Sequence, residues 1–250
     1  EFSSGIPYQK KLSHYFLTDK IKKITHNYFP APSIPFVLNL ASKNKLIRKK
    51  SIDHCKTNID LAVLSNSKFY SFHSGFCVDP EPNDLGGMIK NIKKLDIDGH
   101  KNFFVKSVKE LILFAKKRKI ELLLENNVVS KKNYSINNKQ NLFLCTTSNE
   151  IIEILQILDD PTVSLLLDTA HLKVSSNTLN NDLISEAEKL LPFVKMIHHS
   201  DNDGVNDSND EFDNQYWFLD FKKSFNNWDH VVEVKNLSLN KIYNHLNLLS

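Results

Sequence analysis

Val163-Ser-Leu-Leu-Leu-Asp168 is a short apolar run that stops on a carboxylate, and three other runs in the chain stop in a similar way. They are Ile120-Glu-Leu-Leu-Leu-Glu125, Val194-Lys-Met-Ile-His198 and Val231-Val-Glu233. Short, nearly continuous apolar runs read as strands buried on both faces, the pattern of a parallel sheet. Helical stretches fall between them, so strand and helix alternate along the chain. In a parallel β/α barrel the C-terminal strand ends converge on one mouth, where active sites lie. Glu125, Asp168, His198 and Glu233, scattered over more than a hundred positions, are therefore expected to meet there.

Outward from these runs, the pattern predicts helices over Gln9–Lys23 (apolar stripe Leu12, Tyr15, Phe16, Ile21), Ser51–Ser65, Asn102–Arg118, Asn149–Leu158, Asp182–Leu191, Tyr216–Phe225 and Leu239–Leu248. Further strands are expected at Glu1–Ser4, Ile24–Tyr28 and Phe69–His73, with a short extended piece over Phe36–Leu40 after the breaks at Pro30, Pro32 and Pro35. Cys77–Asp98, Asn126–Asn141 and Asp201–Asn214 read as loops, the first with room for a helical turn. Core strands then lie around Phe2, Thr25, Tyr70, Leu123, Leu166, Ile197 and Val232. That is one short of the eight of a closed (β/α)₈ barrel. The expected fold is an α/β barrel of the TIM type lacking its first β/α unit at the N-terminus. With no internal repeat and no linker, residues 1–250 read as a single domain.

A length of 250 residues suits one such barrel, and 41% hydrophobic residues suffice for its core. The net charge of +3, with 24% charged residues of mixed sign, does not demand a nucleic-acid partner. Lys49-Lys50 and Lys116-Lys117-Arg118-Lys119 read as solvated helix ends. Cys55, Cys77 and Cys145 have no metal-type spacing, and an odd, scattered set points to free thiols and a cytoplasmic protein. No run is long enough to span a bilayer, so no membrane partner is expected. An open barrel edge can be closed by an upstream segment or by a homo-oligomeric partner. Phosphate-loop, dinucleotide and nucleophile-elbow motifs are absent.

Three carboxylates and one imidazole suit a divalent cation such as Mn²⁺, Mg²⁺, Co²⁺ or Zn²⁺. Any one of them alone reads as a strand cap or an ion-pair partner; four ending successive strands favour the metal. His26 and His73 end two earlier strands and stand between a site role and that of hydrogen-bonded core histidines. His171, three positions after Asp168, can hold a substrate oxygen, bind a further metal or orient Asp168. Asn126 and Asn127 follow Glu125 and can fix a substrate hydroxyl or that carboxylate. The stretch Ser200–Asp210 resembles a calcium loop superficially but lacks the glutamate at position twelve and follows a strand. Its plain reading is a solvated turn, from which Asp201 and Asp207 can reach the mouth.

Leu-Leu-Leu-Asp168-Thr-Ala-His171, Ile-His198-His-Ser-Asp201 and Leu-Leu-Leu-Glu125-Asn resemble the xylose isomerase-like barrel superfamily, over nearly the whole chain. That group contains sugar isomerases and epimerases and the endonuclease IV type of repair enzyme. The resemblance implies that Glu125, Asp168, His198 and Glu233 hold one divalent metal and that Glu125 and Glu233 exchange protons with the sugar. His26 in His-Asn-Tyr and His73 in His-Ser-Gly are similar to further metal-binding segments of endonuclease IV, and His171 matches a ligand of its third metal. That metal also needs an Asp-x-His. Asp207-Ser208-Asn209 offers an amide in place of the imidazole, which counts against repair-type cleavage. The segments His26-Asn-Tyr-Phe-Pro and Asn39-Leu-Ala-Ser42 are also similar to a subgroup described as sugar phosphate isomerase/epimerase.

The leading expectation is a metal-dependent isomerase or epimerase of a sugar or sugar phosphate, working through an enediolate. An endonuclease IV-like phosphodiesterase on abasic DNA and a non-catalytic barrel are the alternatives.

Overall fold

The computed structural model describes residues 1–2, 7–18, 21–90 and 94–250. Its sheet has six strands in the order of the chain: β1 (Thr25–His26), β2 (Phe69–His73), β3 (Glu121–Glu125), β4 (Val163–Asp168), β5 (Val194–His199) and β6 (Asp229–Val232). Every pairing is parallel. The expected opening strand is represented by a single parallel bridge from Phe2 to Thr25, closed by Phe2 N–H to Ile24 O and His26 N–H to Phe2 O, both 2.9 Å. Ser3 and Ser4 lie outside the described residues.

The sheet is curled, because residues from its two ends share one core. Ile24, next to β1, and Val231, in β6, pack with Phe69, Leu123, Leu166 and Met196, and Lys22 pairs with Asp229 at 3.4 Å across the same seam. Strand side chains alternate between faces. Leu122, Leu124, Leu165, Leu167 and Ile197 therefore face outward into the larger core under the helices. Ile24, Leu123, Leu166, Met196 and Val231 face inward as an apolar plug. Two positions after each plug residue comes His26, Glu125, Asp168, His198 or Glu233.

The helices are α1 (Leu12–Thr18), α2 (Lys45–Leu64), α3 (Ile97–Lys116), α4 (Lys131–Ile136), α5 (Ser148–Leu158), α6 (Thr169–Leu179), α7 (Leu183–Leu190) and α8 (Leu239–Leu249). Several expected boundaries move, each for a local reason. Helix α1 is shorter than Gln9–Lys23: Leu12 and Phe16 are buried, whereas Tyr15 and Ile21 are exposed. Helix α2 starts earlier, because the Asn44 side chain caps Leu46 N and Ile47 N. Asp96 does the same for α3 through Gly99 N. Strand β1 is shorter than Ile24–Tyr28 because Asn27 turns the chain with φ 47°. Phe36–Leu40 forms no strand, the loop after Asn126 contains α4, and Trp217–Asn227 is a 3₁₀ segment. No helix among the described residues is long and apolar enough to cross a membrane. The three cysteines are free and buried.

The plug has a measurable consequence. Leu166 is fully buried in it, so Leu166→Ala should lower the unfolding free energy by roughly 2–5 kcal/mol. Urea unfolding followed by circular dichroism checks this, and a loss under about 1 kcal/mol would contradict a packed barrel interior.

Candidate metal centre

Each inward polar residue is delivered by backbone pairing. Strand register sets His73 opposite Glu125 and Asp168 opposite His198. The second pairing depends on an irregularity between Leu165 and Leu166, where β5 slips by one residue. Glu233 lies just past β6, its N–H donating to His199 O at 2.9 Å. Ligand atoms of Glu125, Asp168, His198 and Glu233 all lie within 4.8 Å of one another. The four residues expected to meet do so.

His198 is the hub. Its Nδ1 lies 2.7 Å from Glu233 Oε2, 3.5 Å from Glu125 Oε1 and 3.9 Å from Asp168 Oδ2. Glu125, 1% exposed, also meets His73 Nε2 at 2.9 Å and His26 Nε2 at 3.3 Å. His26, His73 and Glu125 make a second group of potential ligands, so the two earlier histidines join the mouth. His26 Nδ1 lies 2.9 Å from Ser71 Oγ. His171 sits farther off, its Nδ1 2.8 Å from the Asn126 carbonyl and 3.8 Å from Glu125 Oε1, and its Nε2 3.3 Å from Asp207 Oδ2. Of the two acids expected from the following loop, Asp207 therefore reaches the mouth. Asp201 turns instead to Lys173 at 2.6 Å and belongs to no ligand group among the described residues.

Asn126 and Asn127 serve the backbone. Asn126 Nδ2 donates to Asp168 O at 3.0 Å and its Oδ1 accepts from Asp168 N at 2.7 Å, locking β3 to the end of β4. Asn127 Nδ2 donates to the carbonyls of Ser74, Gly75 and Leu144. Helix α6, absent from the sequence reading, begins on the site: Asp168 is its N-cap, with Oδ1 accepting from His171 N at 2.7 Å. Its Ser, Thr and Asn content gives weak helix propensity; packing holds it, with Ala170, Leu172, Val174 and Ser175 buried.

The electrostatics of the cluster suit a cation. Buried Asp168 Oδ2 has no hydrogen-bond partner, and stripping a charged oxygen of water without compensation is costly. Burial raises the Asp168 pKa to about 7; the Glu233, Glu125 and Asp207 carboxylates add to the rise and His171 opposes it. Burial works against the charge of Glu125 too, yet His73 and His26 hold it well below the usual carboxylate range. His198 behaves in mirror image: burial lowers its pKa, and the Glu1 and Glu233 carboxylates more than reverse that. Three carboxylates and an imidazole, with one buried oxygen lacking a donor, fit a divalent cation held by Glu125, Asp168, His198 and Glu233.

The sequence matches the model of a family described as xylose isomerase-like TIM barrel over residues 10–238. The chain belongs to that family. No curated protein sequence matches this barrel. A solved D-tagatose 3-epimerase-like protein is similar to it with TM-score 0.72 and 16% identity, covering 96% of this chain and 82% of the other. A Thermus thermophilus protein soaked with ZnCl₂ gives TM-score 0.63 and 18% identity, covering 97% and 83%. D-psicose 3-epimerase of Clostridium cellulolyticum, solved with D-tagatose, gives 0.61 and 13%, covering 97% and 87%. At such identities the likeness is one of fold.

One site residue escaped the sequence reading. Glu1 is a buried carboxylate whose Oε2 lies 3.0 Å from His198 Nε2 and whose Oε1 lies 3.5 Å from His26 Nδ1. Strand alternation at Phe2 was the available signal: Phe2 packs outward on Phe16 and Phe29, so its neighbour points in. A cavity of about 540 Å³ beside α8, lined by Phe212, Lys241 and His245 among others, lies away from this cluster. The cluster's chemistry, not cavity size, marks the site.

A sign can be attached to the cost of Asp168. Its native pKa of about 7 against 3.8 for the free side chain means that the native state binds more protons than the unfolded chain between those values. Stability of the metal-free protein therefore falls as pH rises through that window. Asp168→Asn removes the penalty while keeping an acceptor for His171 N. The metal-free variant should be more stable than the parent at pH 8 by on the order of 2 kcal/mol, with the gap closing below pH 4. Urea titrations across pH check it; parallel stability curves would show that Asp168 is not strained.

Proposed function

We propose that the chain is a divalent-metal-dependent sugar isomerase or epimerase, acting as one barrel domain on a small-molecule sugar. One observation carries the reading: three carboxylates and one imidazole, ending four strands, converge within 4.8 Å while the buried Asp168 Oδ2 has no donor. The fold neighbours add support, since those named by activity include tagatose-, psicose- and ribulose-related sugar epimerases.

Glu125, Asp168, His198 and Glu233 would hold the divalent cation, which would supply Lewis acidity toward a sugar carbonyl and so acidify the adjacent C–H. The protein's own task is then proton transfer. Glu233 keeps 38% of its side chain exposed, so it reaches a substrate entering the mouth and removes the carbon-bound proton. Glu125 comes from the distant strand β3 and passes a proton from His73, 2.9 Å away, to the resulting enediolate. Return from the opposite face inverts the centre; movement of the proton between neighbouring carbons isomerises the sugar. His171 is fixed at both ring nitrogens, by the Asn126 carbonyl and by Asp207, at the edge of the cluster. His26 and His73 keep Glu125 ionised.

A metal-dependent phosphodiesterase on abasic DNA is the second reading, favoured by one observation. His26, His73 and Glu125 form a further ligand group that shares Glu125 with the first, as two-ion phosphoester cleavage needs. Against it, Asn209 stands where the endonuclease IV pattern has a histidine. Its carbonyl is also engaged by Lys235 N.

Two measurements decide between them. Purified protein loaded with Mn²⁺ or Co²⁺ should exchange a carbon-bound proton of ketohexoses or ketopentoses into D₂O. Glu125→Gln and Glu233→Gln should each slow that exchange by about 10²–10⁴-fold with the circular dichroism spectrum unchanged. Chelation should abolish it. Near-normal exchange in both variants would end the proton-transfer assignment. Chelator-sensitive nicking of an abasic duplex without sugar exchange would replace it with the second reading.

A further inference from the structure

The two nitrogens of His198 face different groups. Nδ1 looks toward the carboxylates of the ligand set, 2.7 Å from Glu233, 3.5 Å from Glu125 and 3.9 Å from Asp168. Nε2, on the far side of the ring, meets Glu1 Oε2 at 3.0 Å. An ionised carboxylate only accepts, so the proton on that contact belongs to Nε2. In a neutral imidazole Nδ1 is then the lone-pair nitrogen, directed at the three ligand carboxylates. Glu1 is placed for this by its neighbour: Phe2 is bridged to Thr25 and packed on Phe16 at 4.9 Å and Phe29 at 5.2 Å. The Glu1 carboxylate is left 6% exposed inside the barrel, its second oxygen 3.5 Å from His26 Nδ1.

We propose that Glu1 is a positioning residue for the metal centre: it holds the His198 ring by its Nε2–H and thereby presents Nδ1 to the cation. This rests on the metal reading given above. A carboxylate behind a ligating imidazole fixes ring orientation and tautomer and raises the basicity of the ligating nitrogen, and loss of such a partner typically costs about 10–100-fold in metal affinity. Glu1, His26 and His198 also lie within ligand distance of one another, so the rival role for Glu1 is that of a direct ligand to a further ion.

Co²⁺ binding to the full chain, followed by visible absorption and by calorimetry, separates the roles. The comparison needs the parent, Glu1→Ala and the near-isosteric Glu1→Gln, with thermal melts to confirm folding. Positioning predicts unchanged stoichiometry in all three, affinity lowered by about 10–100-fold in Glu1→Ala, and a smaller loss in Glu1→Gln, whose amide oxygen can still accept. The ¹⁵N–¹H spectrum of the zinc-loaded parent should show the His198 proton on Nε2, shifted downfield and protected from exchange. In Glu1→Ala that signal should broaden by exchange with solvent, a change that general destabilisation does not produce. If Glu1→Ala fails to fold, Glu1→Gln carries the comparison. Unchanged affinity and an unchanged Nε2–H signal would overturn the proposal. Loss of one bound ion per chain would overturn it in favour of direct ligation. A parent that binds no Co²⁺ or Zn²⁺ would remove the metal reading itself and this proposal with it.

Discussion

Strand alternation inside a curled parallel sheet is the constraint on which the rest of the molecule depends. Side chains two positions apart on a strand share a face. The barrel interior is sealed by Ile24, Leu123, Leu166, Met196 and Val231, so the next inward position on each of those chains lies directly above the seal. There stand His26, Glu125, Asp168, His198 and Glu233. The apolar plug and the polar cluster are thus successive layers of one packing arrangement. The plug removes water from beneath the carboxylates, and that desolvation is what raises the Asp168 pKa. A one-residue slip in any strand would turn its site residue into the outer core. The irregularity between Leu165 and Leu166 matters for this reason, since it restores the pairing of Asp168 with His198.

The cluster is balanced internally by imidazoles, and unevenly. Glu125 is surrounded by His26, His73 and His198 and stays ionised. Asp168 receives one backbone N–H at Oδ1 and nothing at Oδ2, and its pKa rises to about 7. The protein therefore keeps a destabilised acid at the centre of its mouth, held in place by Asn126 on the backbone and by α6, whose first turn it caps. Strain of this kind persists only where the surroundings over-determine a side chain.

What could be read in the chain follows from how local each signal is. The runs ending at Glu125, Asp168 and His198 were legible because a doubly buried parallel strand is apolar almost throughout, so a terminal charge stands out. His26 and His73 were weaker, since a lone histidine after a short strand fits a core role equally well. Helix α6 was hidden because Thr169, Ser175, Ser176, Asn177 and Thr178 give no amphipathic contrast when most of the helix is buried. Glu1 was missed because a single bridge at Phe2 carries too little pattern to assign a face. Asp201 and Asp207 looked alike in the loop. Lys173, on α6, claims the first and His171 the second, a distinction made by a helix the sequence did not display.

The two glutamates differ in a way that bears on the proposed reaction. Glu125 is 1% exposed and enclosed by three imidazoles, whereas Glu233 is 38% exposed and beyond the end of its strand. A base open to water exchanges its proton with solvent between removal and return; an enclosed one keeps it. Within the proposed mechanism, Glu233 on the substrate-facing side then loses the label it abstracts. A proton returned through Glu125 comes by way of His73, 2.9 Å from it. In that proposal the direction of transfer follows the burial of the two side chains, set by the plug beneath one and by the end of β6 before the other.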